Sequence, residues 1–161
     1  MGWKVETNEN IFAGLEALGS DSEDALRRAL YDGAKVVADK VKQGVESLPV
    51  VADHYYPKGH QIKGVTATQK ADLSAALGVA PHKQEGDGWN TVIGFHGYGS
   101  KPTKKYPKGL PNQLLARAVE SGSSVRTKNP FIRKAVNASR SQAIEAMKKT
   151  FEDEVAKKLK G

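Results

Sequence analysis

The chain has 161 residues, a formal net charge of +7 and a hydrophobic fraction of 39%. This length corresponds to about one domain, which is large enough to bury a hydrophobic core without disulfide cross-links. The absence of cysteine excludes disulfides and thiolate metal sites. No apolar run approaches the ~20 residues of a membrane span, and neither a signal-peptide pattern nor a myristoylation pattern follows the first residue. We therefore expect a protein made in the cytoplasm that does not contact membranes.

The N-terminal part predicts an arm followed by a long helix. Residues 3–7 alternate weakly and predict a short strand, and residues 11–18 have the spacing of a short helix, so we treat residues 1–19 as an arm. Ser20-Asp21-Ser22-Glu23 matches a capping box, which predicts a helix from here to about Ser47, before Pro49. Its apolar stripe consists of Leu26, Leu30, Val37, Val41, Val45 and Leu48, with Ala29, Ala34 and Ala38 beside it.

The middle of the chain predicts a hairpin between two long loops. Residues 50–70 show no periodicity, and a loop of this length is functional, mobile or ordered only against a partner. Residues 73–80 fit a helix or a strand; the adjacent turn-rich residues 84–88 favour a strand entering a hairpin. Residues 89–95, rich in β-branched and aromatic side chains, predict the returning strand. A second loop follows at residues 97–109.

Two further helices complete the predicted fold. A short one should cover Leu114 to Val119 and end near Gly122, and a long one should begin with Asn129 as its N-cap and Pro130 at its first position. The stripe of the last helix consists of Ile132, Val136, Ala143, Ile144, Met147, Phe151, Val155 and Leu159. Its exposed face has favourable i,i+4 pairs, namely Glu145 with Lys149, Asp153 with Lys157 and Glu154 with Lys158. The sequence therefore predicts one α+β domain over residues 1–161, with a small antiparallel sheet packed against two long helices.

The positive charge is regional. Residues 88–144 hold ten basic residues and one acidic residue. Lys101, Lys104, Lys105 and Lys108 lie in the second loop, which also contains Tyr98 and Tyr106. Lysines in a loop give salt-dependent contacts with a nucleic-acid backbone rather than base recognition. An acidic protein partner fits the same charges, and so does an ordinary solvated loop.

Other patterns with chemical meaning are weak. The four histidines, His54, His60, His82 and His96, lack the spacing of a zinc site. A Ser-His-Asp triad stays open, but no Gly-x-Ser-x-Gly is present, and residues 97–101 lack the spacing of a phosphate-binding loop. Asp153 and Glu154 lie among lysines, where a solvated helix face is the simpler interpretation. We expect neither a cofactor nor a metal.

The order of elements and three short motifs resemble the tail-completion proteins of long-tailed bacteriophages, also called head–tail joining or neck proteins. The first motif is Val92-Ile93-Gly94-Phe95, the second is Ala118-Val119-Glu120-Ser121-Gly122, and the third is Pro130-Phe131-Ile132-Arg133 with Ala135. The resemblance covers roughly residues 25–159. Two features depart from the family pattern: Ala71-Asp72-Leu73-Ser74 replaces a Gly-x-Leu-Arg step, and residues 50–70 form an unusually long insertion.

The resemblance implies a structural virion protein with no active site. Such proteins assemble as a homo-oligomeric ring, commonly a hexamer, between the head connector and the tail-tube proteins, with DNA passing through. The chain would reside in the host cytoplasm before assembly and in the tail or neck of the virion afterwards. DNA would be contacted only non-specifically, and Phe131 is expected to pack against the sheet near Phe95. The main alternative is a small basic nucleic-acid-binding protein; a hydrolase using His54 or His60 is a third.

Overall fold

The computed structural model describes residues 2–3, 18–86 and 88–161. In this part of the chain, two long and two short helices accompany a small antiparallel sheet, so the α+β class is confirmed. The helices are α1 Ser22–Glu46, α2 Ala67–Ala76, α3 Asn112–Ser121 and α4 Phe131–Lys160. The strands are β1 Gly2–Trp3, β2 Leu77–Val79, β3 Lys83–Glu85 and β4 Gly88–Phe95.

Strand β4 organises the sheet. It lies between β1 and β2, and β3 also pairs with it. The β3–β4 pair is antiparallel, with Glu85 opposite Gly88 across the turn. Beyond β2, the backbone N–H of Ala80 donates to the carbonyl of Val92 at 2.7 Å. The predicted hairpin is therefore confirmed, with a first strand that begins at Leu77, four residues later than predicted.

Helix α2 occupies residues that the sequence analysis assigned to a loop and a strand. Thr66 caps it, because its hydroxyl accepts from the N–H of Gln69 at 3.2 Å, and the Gln69 side chain accepts from the N–H of Thr66 at 3.1 Å. Leu73 is 0% exposed, and Ala76 is buried beside it. The strand prediction for residues 73–76 is therefore wrong: a capping box and two buried side chains three residues apart fit a helix.

The residues group into two compact units, each assembled from separate stretches of the chain. The first unit comprises Met1–Val37, Val79–Ile93 and Ser139–Gly161; the second comprises Ala38–Gly78 and Gly94–Ala138. Helices α1 and α4 and strand β4 thus contribute residues to both. Neither unit is a contiguous domain, and a single domain over residues 1–161 stays a prediction.

In the first unit, α1 meets the second half of α4. Its core consists of Leu18, Ala25, Ala29 and Phe151, with Leu26, Met147 and Val155 partly buried against them. Gly33 lies under Met147: a Cβ at this position would be 2.5 Å from the Cε and Cγ atoms of that side chain. The glycine that weakens α1 on propensity alone thus lets the Met147 side chain pack close to the α1 backbone.

In the second unit, the C-terminal part of α1 and the short helices surround the start of α4. The buried apolar side chains here include Val41, Val45, Leu48, Val65, Leu73, Leu115, Val119, Phe131 and Ala135. Gly44 faces Phe131, whose carbonyl oxygen would lie 3.3 Å from a Cβ added at that glycine. The second glycine of α1 thus also marks a close approach of backbone to its neighbour.

Some details at the helix ends differ from prediction. Ser20 lies within the 3-10 turn Gly19–Asp21, and the carboxylate of Glu23 is bonded to Arg27, so the predicted capping box does not start α1. On α4, Ile144 is 36% exposed and Leu159 is 73% exposed, so neither belongs to the buried stripe.

The predicted arm is largely outside the described residues. Of its strand, only Trp3 is described, in β1, and of its helix only Leu18. Among the helices described, none has the length and apolar content that a membrane span needs.

Candidate functional site

The base of the lysine loop, residues 97–109, is closed by backbone hydrogen bonds. The N–H of Gly99 donates to the carbonyl of Leu110 at 2.8 Å, and the N–H of Asn112 donates to that of Gly97 at 3.0 Å. Gly109 has a φ of +96°, and a Cβ there would lie 1.9 Å from the carbonyl oxygen of Gly99. Only glycine fits this position, so the loop leaves the fold through a narrow, defined base.

Two carboxylates attach the loop to other parts of the second unit. Asp72 of α2 accepts hydrogen bonds from the N–H of Ser100 at 2.9 Å and from its hydroxyl at 3.1 Å. Asp53 forms an ion pair with Lys101. Asp72 belongs to the tetrapeptide where the chain departs from the family pattern, so this departure supplies a specific contact to the lysine loop.

The tip of the loop presents its lysines to solvent. The N–H of Thr103 donates to the carbonyl of Tyr106 at 2.9 Å, and the N–H of Tyr106 donates to the Thr103 hydroxyl at 3.0 Å. Lys104 and Lys105 therefore occupy the two central positions of a closed turn, with the Lys105 ammonium 5.4 Å from the centre of the Tyr106 ring. Both side chains are exposed, as are those of the other two predicted lysines, Lys101 and Lys108.

The family-motif residues meet at a second place, the start of α4. The carboxylate of Glu120, on α3, accepts from the N–H of Ile132 at 2.8 Å and from the N–H of Arg133 at 3.1 Å. Glu120 is only 9% exposed. Backbone N–H groups in the first turn of a helix lack intrahelical partners, and the helix dipole favours a negative charge there. We call this contact the Glu120 cap.

The Glu120 cap replaces the predicted role of Asn129. The helix begins at Phe131, one residue after the predicted first position at Pro130. The N–H of Phe131 donates to the backbone carbonyl of Asn129 at 2.8 Å, while the next two donors are bound by Glu120. The prediction for Asn129 is wrong because a carboxylate from α3, remote in sequence, supplies the acceptor.

Other motif residues lie around the Glu120 cap. The ring centres of Phe95 and Phe131 are 6.2 Å apart and tilted by 59°, which confirms the expected contact between β4 and α4. Gly122 has a φ of +78°, and Ala135 is buried.

Three other motif residues, Arg133, Pro130 and Gly94, are not tightly packed. Arg133 points to solvent, Pro130 is half-buried, and a Cβ at Gly94 would meet nothing within 4 Å.

A buried arginine that the sequence analysis did not single out holds the first long loop. Arg126 is 8% exposed and donates through its guanidinium to the carbonyl of Gly64. Burial lowers the pKa of Arg126, and Tyr56 partly opposes this effect. Ile62 pairs with the same segment: its N–H donates to the carbonyl of Val125 at 2.9 Å. Nothing in the local pattern predicts these contacts, because they join residues about 60 positions apart.

The histidines do not converge on a common centre. His54 and His60 flank Tyr56, with ring centres 4.4 Å and 5.0 Å from its own. His82 packs against Trp89 at 5.3 Å. No group of three or more potential metal ligands occurs in the part of the chain that the structure describes.

An open groove of about 630 Å³ in the first unit is lined by charges of both signs. Glu154 binds Arg28 at 2.9 Å and Lys157 at 3.3 Å, and these cations lower the pKa of Glu154. Asp32 accepts a hydrogen bond from Thr150. Three of the charged groups of the groove, those of Arg28, Glu154 and Lys157, thus pair with one another.

Comparisons with protein-family models, with curated proteins and with solved structures found no match.

Proposed function

We propose that the chain is a tail-completion protein of a long-tailed bacteriophage or prophage. In this proposal it assembles as a homo-oligomeric ring between the head connector and the tail tube, around the path of the DNA. Six subunits is the number common in the family that the sequence resembles. The protein acts as a structural component of the virion and catalyses no reaction.

The Glu120 cap is the observation that carries the proposal. The motifs that define the resemblance are separated in sequence, yet they supply both partners of one contact: Glu120 binds the backbone at Ile132 and Arg133. Phe95, from the first motif, packs on Phe131 beside it. The proposal therefore rests on the grouping of these motif residues around the start of α4.

The lysine loop is compatible with a ring that encloses DNA. Exposed ammonium groups on a loop give attraction to phosphates without base recognition. Weak attraction suits a passage through which DNA must move, because tight binding would obstruct translocation.

Deletion of the gene from the phage or prophage genome that carries it tests the proposal. We expect electron micrographs of the lysate to show DNA-filled heads and complete tails that are not joined. A plasmid copy of the parent gene should restore joined particles, and an empty plasmid serves as the control. Normal virions from the deletion strain would overturn the proposal.

The regional positive charge favours a second candidate, a dedicated nucleic-acid-binding protein. A titration of labelled duplexes separates the two, since specific DNA-binding proteins typically reach ~10⁻⁸ M or better. Non-specific binding is typically ~10⁻⁴–10⁻⁶ M at physiological salt. Nanomolar, sequence-selective binding by the purified chain would favour this candidate over the first.

A further inference from the structure

The positive charge is concentrated in one of the two compact units. The second unit holds 14 basic and 5 acidic residues, a formal net charge of +9, whereas the first holds 11 basic and 13 acidic residues, a net charge of −2. Within the second unit, three loops at residues 50–66, 97–109 and 122–130 contain eight basic residues and one acidic residue. The excess charge of these loops equals that of the whole chain.

Direct contacts make these loops neighbours. The ion pair between Asp53 and Lys101 joins the first loop to the second. Gln61 joins the first loop to the third: its side chain donates to the carbonyl of Ser123 at 3.2 Å and accepts from the Thr127 hydroxyl at 3.3 Å. We call these neighbouring segments the three-loop surface.

Most of the lysines on the three-loop surface are available to a ligand. The exposed lysines without a carboxylate partner among the described residues are Lys58, Lys63, Lys104, Lys105, Lys108 and Lys128. The one carboxylate of the surface, that of Asp53, is occupied by Lys101. The surface also contains four of the five tyrosines of the chain, with Tyr55 84% exposed and Tyr98 57% exposed.

We propose that the three-loop surface binds the phosphate backbone of duplex DNA. The lysines that would make the contacts are Lys58, Lys63, Lys104, Lys105, Lys108 and Lys128. Six unpaired ammonium groups on adjoining loops neutralise several phosphates at once and release their counterions. Tyrosine hydroxyls are among the groups that contact phosphate oxygens in protein–DNA complexes, so the exposed Tyr55 and Tyr98 fit the same ligand. The inference rests on the proposed function only for the choice of duplex DNA as the polyanion.

Salt-dependent binding of the full chain to a labelled 30-base-pair duplex tests this assignment. With about six phosphate contacts, the affinity of the parent should fall about 10³-fold between about 50 and 200 mM salt. Two triple variants each remove half of the contacts: Lys104→Ala with Lys105→Ala and Lys108→Ala, and Lys58→Ala with Lys63→Ala and Lys128→Ala. For each of them we expect weaker binding and a fall of only about 40-fold over the same range.

The control makes the same charge change in the first unit, with Lys148→Ala, Lys149→Ala and Lys160→Ala. These side chains are exposed on α4, and none is in an ion pair with a described carboxylate. The control should show the salt dependence of the parent. Circular dichroism melts of all three variants establish that they remain folded.

Four results would overturn the assignment. Parent-like binding by the Lys58, Lys63 and Lys128 variant would restrict the site to a single loop. Parent-like binding by the other triple variant would remove the lysine loop from the site. Equal weakening in the control would show that only net charge matters. Tighter binding of poly-L-glutamate than of duplex, at equal charge concentration, would assign the surface to an acidic protein.

Failure of this inference is separable from failure of the proposed function. If the deletion strain cannot join tails but neither triple variant alters duplex binding, the three-loop surface is wrong and the tail-completion role stands. If both triple variants behave as expected but the deletion strain makes normal virions, the tail-completion role is wrong and the assignment of the three-loop surface stands.

Discussion

Two buried charged residues, Glu120 and Arg126, are both bound to backbone groups in the second unit. Glu120 accepts from two N–H groups at the start of α4, and Arg126 donates to the carbonyl of Gly64. A buried charge is costly unless such partners satisfy it. Each side chain therefore links two segments that are separated in sequence: Glu120 links α3 to the start of α4, and Arg126 links its own segment to the first long loop.

Removal of the Glu120 carboxylate should destabilise the fold. Glu120→Ala leaves two backbone donors at the start of α4 without their acceptor, and the loss of a helix cap typically costs ~1–2 kcal/mol. Urea unfolding followed by circular dichroism measures the change. Glu145→Ala, which removes an exposed carboxylate from the capped helix α4, serves as the control and should stay within about 0.5 kcal/mol of the parent. Equal midpoints for Glu120→Ala and the parent would show that the cap is not stabilising.

The contribution of Glu154 to the stability of the fold should depend on pH. Hydrogen bonding from Arg28 lowers the pKa of this carboxyl below its usual 4.5, with a smaller effect from Lys157. A carboxyl whose pKa is lower in the folded protein than in the unfolded chain stabilises the fold at pH values above the unfolded-state pKa. This stabilisation is lost as the pH falls through the folded-state pKa. Glu154→Gln should therefore lower the urea midpoint near neutral pH, and the difference should shrink as the pH falls below 4.5.

The neighbouring exposed carboxylate provides the comparison for that measurement. Asp153→Asn removes the same formal charge from a side chain that has no ion pair among the described residues. It should change the midpoint little at any pH. A difference for Glu154→Gln that is independent of pH would exclude the ion pair as its cause.

At the scale of elements, local pattern predicts much of the fold. Apolar spacing located α1, α3 and α4 within a few residues, and β-branched content located β4. The sequence pattern does not identify helix α2, because its alanines fit both the helical and the strand periodicity. Thr66 and Gln69 nevertheless form a capping box that is visible in the sequence. The start of α4 was assigned to Asn129, whereas Glu120 supplies the cap, because no local pattern reports a contact across twelve residues.

Backbone hydrogen bonds in the first long loop predict which of its amides exchange slowly. The N–H groups of Val51, Ile62 and Val65 donate to backbone carbonyls at 2.9, 2.9 and 3.0 Å, so their amides should exchange slowly. Amides at the exposed Tyr55 and Lys58 should exchange fast. Hydrogen exchange followed by NMR tests this, and uniform fast exchange over residues 50–66 would show that these hydrogen bonds do not order the loop.

At the scale of the whole molecule, the two units carry different optical probes. Both tryptophans, Trp3 and Trp89, belong to the first unit. Trp89 packs between Arg27 at 5.6 Å and His82 at 5.3 Å, so its emission should change when that unit unfolds. Far-UV circular dichroism follows the helices of both units.

We expect tryptophan fluorescence and circular dichroism to give the same urea midpoint. Helices α1 and α4 and strand β4 contribute residues to both units, so unfolding of one removes elements from the other. Coincident transitions are the usual sign of two-state unfolding. Separate midpoints would show that the units unfold independently.

The close contact between Gly33 and Met147 has a practical consequence for redox footprinting. Met147 is the one methionine in the described part of the chain, and its side chain packs on α1 at Gly33. Peroxide adds an oxygen atom to a methionine sulfur more readily when solvent reaches it. Met147 is partly buried, so an increase in the rate of this mass gain under mildly destabilising conditions, measured on a proteolytic peptide, reports loosening of the contact between α1 and α4. The measurement needs neither a substitution nor a label.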